Sequence, residues 1–142
     1  MLMVTQLGLF ATAPTLNVLR DLKTAMAKAA KETGLSREEL CDRINQVADR
    51  YGVRMVKGTG QNLTLDTLEK WLNPEDKERV IPAKALTVFC AATGSPEPMQ
   101  VLAAPLGWRV IDDKQAKLLA VAEMERDVRR KKAMIRKLEA EI

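Results

Sequence analysis

Two stretches, LSREELCDRIN (Leu35 to Asn45) and LTLDTLEKWLNP (Leu63 to Pro74), decide how this chain is read. In the first, Ser36 is followed three residues later by Glu39. That spacing lets a hydroxyl and a carboxylate each satisfy the other's backbone N–H at a helix start. Leu40, Ile44 and Val47 then recur at helical spacing, with Tyr51 next on the same face and Gly52 as the stop. In the second, Thr64 stands as the cap, Leu65, Leu68, Trp71 and Leu72 point inward, and Pro74 ends the helix.

The same signals divide the rest of the chain. After Pro14, Thr15 or Asn17 caps a helix to about Thr33, with an apolar stripe of Leu19, Leu22, Met26, Ala29 and Ala30 and a stop at Gly34. Residues 52–62, GVRMVKGTGQN, carry three glycines and no helical period. They read either as a small β-hairpin near 53–65, turning at Gly58-Thr59-Gly60, or as a loop. A hydrophilic link from Glu75 to Arg79 leads to Pro82 and a helix from Ala83 to Thr93 that stops at Gly94. Pro96 or Pro98 opens a fifth helix that ends near Gly107.

Asp112 and Asp113 then start a long helix to Ile142. Val121, Met124, Val128, Ile135, Leu138 and Ile142 fall on its a and d positions, with Lys131 at the remaining d. This is about three heptads, enough for a coiled coil and for a homo-oligomer, dimer or tetramer. The alternative is a helix folded back on its own domain. The cluster of Arg126 and Arg129 to Lys132 reads as a solvated helix face. The expected architecture is all-α: an arm or disordered leader at 1–14, a five-helix domain at 15–111, and an oligomerisation helix at 112–142.

Composition agrees with helices and narrows the chemistry. Of 142 residues, 46% are hydrophobic but only 4% aromatic, so the core rests on Leu, Val, Ile, Ala and Met. Histidine is absent, which excludes imidazole bases, Ser-His-Asp and Cys-His nucleophiles, and His-containing zinc sites. Cys41 and Cys90, the only cysteines, read as buried thiols, and no metal site is expected. The adjacent acid pairs Glu38-Glu39, Glu75-Asp76 and Asp112-Asp113 sit at helix starts, where they complement the dipole. Gly58-Thr59-Gly60 lacks the Lys-Ser/Thr of a phosphate loop. No catalytic residue, cofactor or small-molecule substrate is therefore assigned. The first ten residues, MLMVTQLGLF, lack a basic start, and no stretch reaches the ~18 apolar residues of a membrane span. A cytoplasmic protein without a membrane partner is expected.

The two opening motifs together have the form of a helix-turn-helix, in which the first helix crosses the DNA backbone and the second enters the major groove. Asn62, Thr64, Thr67 and Lys70 then present short polar or cationic side chains to bases or phosphates of double-stranded DNA. Asp66 and Glu69 repel phosphate, so attraction must come from Arg37, Arg43, Arg54 and Lys57. A net charge of +4 suits such a partner.

LSREEL…LTLDTLEKWLNP resembles the lambda-repressor-like (Cro-type) helix-turn-helix, in which a short helix starting at Ser or Gln precedes a recognition helix ending in Trp. From Trp71 to Ile111 the chain is similar to regulators of temperate and Mu-like phages or prophages. There an L-N-P end leads into P-A-x-x-L-x-x-F-x-x-x-T-G, matched here from Pro82 to Gly94. The resemblance implies a sequence-specific regulator of phage genes in a bacterial host, binding duplex DNA as an oligomer. The chain departs from the compact motif by an insertion of about a dozen residues between the two helices. A competing reading is a non-enzymatic helical protein-interaction module multimerised by its C-terminal helix.

Overall fold

The computed structural model describes residues 15–55 and 62–142. The arm or leader at 1–14, the proposed turn at Gly58 to Gly60, and Lys57 lie outside the described residues. Among those described there are six α-helices and no strand: α1 (Leu19–Glu32), α2 (Arg37–Arg50), α3 (Leu65–Leu72), α4 (Ala83–Thr93), α5 (Glu97–Ala103) and α6 (Asp113–Ala140), with a 3-10 turn at Ala104–Leu106. The all-α expectation holds. The chain divides into two units, one ending at Arg109 and one comprising Val110–Ile142.

Local chemistry sets most boundaries. At α2, Ser36 Oγ accepts from the Glu39 N–H at 3.1 Å and Glu39 Oε1 accepts from the Ser36 N–H at 3.0 Å. The Ser36 backbone N–H first, and the Ser36 hydroxyl second, hold the Glu39 carboxyl below its ordinary pKa. Gly34, at φ 74°, turns the chain from α1 into α2 where a β-carbon would be strained. Gly94, at φ 71°, does the same between α4 and α5. The start of α1 differs from expectation. The helix begins at Leu19 with Val18, which has no side-chain acceptor, at the cap position, while the Thr15 hydroxyl accepts from the Asn17 N–H.

In the first unit α1 packs on α3 and α5, and α2 packs on α3 and α4. Met26, Leu40, Ile44, Leu68 and Phe89 are fully buried at the centre, with Trp71, Leu72 and Ala85 around them. Truncating one such leucine removes packing worth ~2–5 kcal/mol. Tyr51 does not join them. It stands at the C-cap of α2, where its N–H donates to the Val47 carbonyl, and its side chain is 69% exposed.

Lys23 is the exception in this core, at 2% exposure. Its ammonium donates to the carbonyl of Lys70 at 2.8 Å and to that of Arg79. One bond satisfies a terminal carbonyl of α3 and the other fixes the link to α4. Burial pushes the lysine pKa down, and the nearby Asp76 carboxylate opposes the shift. Asp76 in turn accepts from the N–H groups of Arg79 and Glu78, which hold its carboxyl below the usual range.

In the second unit every residue of α6 is exposed. Asp112 caps it reciprocally with Gln115. The helix ends at Ala140, so Ile142 lies two residues beyond the regular seam.

Candidate functional site

The placement of α3 begins with its anchor. Asn45 of α2 reaches Leu63: its Oδ1 accepts from the Leu63 N–H at 2.8 Å and its Nδ2 donates to the Leu63 carbonyl at 3.0 Å. The carboxamide thus engages both polar groups of one backbone residue, as a neighbouring strand would. Cys41 Sγ donates to the same carbonyl at 3.3 Å. Of the two readings of the insertion, the described flanks favour the loop: residues 53–55 and 62–64 form no strand, and Asn45 has taken the pairing groups of Leu63. Met55 and Leu63, each 3% exposed, bury the two ends of the insertion in the core.

From that anchor α3 starts one residue after its cap. The Thr64 hydroxyl accepts from the Thr67 N–H at 3.2 Å and donates to the Thr67 hydroxyl at 3.1 Å. Leu68, Trp71 and Leu72 are buried. At about 100° per residue, Asp66, Glu69 and Lys70 then lie on the outward side, with Thr67 on the flank. Lys70 is ion-paired to Asp66 at 3.0 Å. The outer face of α3 therefore carries a net negative charge.

The remaining expected residues are more scattered. Asn62 and Thr64 are exposed beside the start of α3, and Arg54 is exposed after the end of α2. Arg43 is exposed in mid-helix, whereas Arg37 is half-buried at the first position of α2. The two arginines stand about 120° apart around the helix and do not share a face. Lys57 lies outside the described residues.

Positive charge does collect at the turn between α1 and α2. Lys28, Lys31 and Arg37 line one open hollow there, together with Gly34, Leu35 and Ser36, with Lys28 ion-paired to Glu32 at 3.9 Å. Among the described residues, Arg37 Nη1 is buried without a hydrogen-bond partner. Sequence reasoning passed over Lys28 and Lys31, which lie on the solvent side of α1 and carry no motif. It also gave Asn45 and Lys23 no role. Lys23 was legible in principle, since a lone cation within the stripe of Leu19, Leu22 and Met26 must find acceptors. The partner of Asn45 is 18 residues away and leaves no local signal.

Both cysteines have thiol pKa values raised by burial, which keeps them protonated. Among the described residues no cluster of His, Cys, Asp or Glu could hold a metal ion. No helix of the described residues is long and apolar enough to cross a membrane. No family model, curated protein or solved structure matches this chain.

Proposed function

We propose that the chain is a sequence-specific double-stranded DNA-binding regulator of the phage or prophage type. On this reading residues 15–111 form a helix-turn-helix domain of the lambda-repressor-like kind, acting as an oligomer in the cytoplasm of a bacterial host. The observation that carries the reading is the α2–α3 pair. Two capped helices are pinned to one another through Asn45 and Leu63, and the polar side of α3 is left outward on a rigid core. The hollow lined by Lys28, Lys31 and Arg37 adds phosphate-binding charge that α3 lacks. Thr67 and Lys70 are the base-reading candidates on α3, with Asn62 and Thr64 at its start.

The rival reading, a helical protein-interaction module, draws support from one observation: Asp66 and Glu69 outnumber Lys70 on the outer face of α3. Selection of bound sequences from a random duplex pool separates the two. A regulator enriches a motif, and its affinity falls steeply with salt as counterions are released. Thr67→Ala with Lys70→Ala then weakens binding to the selected duplex. An unenriched pool, or an affinity indifferent to salt, transfers the function to a protein partner.

A further inference from the structure

We propose that α6 pairs with α6 of a second copy in antiparallel orientation, in a single register that sets Val121 opposite Leu138 of the partner copy. The proposal rests on the reading of α6 as the oligomerisation element and adds its geometry. Val121, Met124, Val128, Ile135 and Leu138 run along one side of α6, each 49–65% exposed, with nothing polar among them except Lys131. A stripe of this kind is covered when a second heptad seam lies against it.

Lys131 decides the orientation. In a parallel pair each position meets its own copy, so two Lys131 ammonium groups would face one another inside the seam. In an antiparallel pair an a position meets a d position. Lys131 then lays its alkyl stem on Val128 of the other copy and carries its charge outward. The same alignment sets Met124 against Ile135 and Val121 against Leu138, so every apolar residue of the helical stripe is covered.

Charge decides the register. With Val128 opposite Lys131, Glu125 of each copy flanks Lys132 of the other, giving two symmetric attractive pairs. A slip of one heptad in one direction brings Glu125 against Glu125. A slip in the other brings Lys132 against Lys132 and Glu125 against Glu139. Both slips are repulsive. Among the described residues, neither Glu125 nor Lys132 takes part in an ion pair; those present involve Arg20, Lys28 and Lys70. The pair is isologous, as a closed dimer requires. It places the two Asp113 ends roughly 50 Å apart, at opposite ends.

The test uses the full chain. Light scattering on the unaltered protein should give a dimer. Lys132→Glu should weaken dimerisation about tenfold, because two attractive pairs become repulsive. Adding Glu125→Lys should recover most of that loss, while adding Asp127→Lys, which repairs the flank of a parallel pair, should not. Independently, a Val121→Cys chain mixed with a Leu138→Cys chain under mild oxidation should give a mixed disulfide dimer, and neither alone should link. Linking by Val121→Cys alone, or rescue by Asp127→Lys, overturns the orientation while leaving the oligomer reading intact. A dimer that shows neither rescue nor cross-link uses another surface and also overturns it. A monomer refutes both this proposal and the oligomer reading.

Discussion

Replacing Asn45 with alanine removes both hydrogen bonds that hold Leu63 to α2, at 2.8 and 3.0 Å. Each neutral bond contributes ~1 kcal/mol net. Leu63 is 3% exposed, so its N–H is left in a place water reaches poorly, and that adds ~1 kcal/mol or more. Its carbonyl keeps the Cys41 thiol. The expected loss is therefore about 2–3 kcal/mol in urea unfolding, with little change in the m-value. Hydrogen exchange at the Leu63 amide should accelerate more than exchange in the middle of α2, because the break is local. On the proposed DNA-binding reading, the variant should also bind a selected duplex more weakly than its stability loss explains, since the start of α3 is no longer held. A stability change below about 0.5 kcal/mol, with Leu63 still protected, would show that the buried Met55 and Leu63 side chains position α3 without the clamp.

Three further outcomes follow from named contacts. Ser36→Ala removes the acceptor for the Glu39 N–H and should cost ~1 kcal/mol of stability, read by thermal unfolding. Asp76 and Glu39 both have folded-state pKa values below their ordinary ones, so the stability they confer is present above about pH 4 and disappears as pH falls through the folded values. Melting curves across the acid range should show this decline, and Asp76→Asn, which retains an acceptor but cannot titrate, should flatten it; an unchanged slope would remove Asp76 from the account. Truncation after Gln115 should lower the oligomeric state while leaving α1 to α5 folded, and light scattering that gives the same mass before and after would place the association elsewhere.

Much of this architecture was legible from spacing alone. Ser36 and Glu39, Thr64, Gly34, Gly94 and Asp112 act on backbone groups within four residues of themselves. Their meaning is local, and the helices begin and end close to where these residues stand. The inner faces of α2 and α3 were readable for the same reason, since a 3.6-residue period is a property of one segment. Tyr51 marks the limit of that logic: it keeps the helical N–H bond to Val47, yet its ring is exposed, because a period gives direction along a helix and not what lies opposite it.

What the tertiary structure alone decided is how separate segments meet. Lys23 is buried because carbonyls of Lys70 and Arg79 converge on it from two other parts of the chain. Asn45 clamps Leu63 because the chain returns beside α2 after the glycine-rich insertion. Lys28, Lys31 and Arg37 line one hollow because the turn at Gly34 brings the start of α2 beside the end of α1. For Lys23 and Asn45 the partners are joined by packing of the whole unit, and no local period or cap encodes that meeting. The α6 stripe is the complement: its pattern is visible in sequence, and on the proposed reading a second copy of the chain covers it.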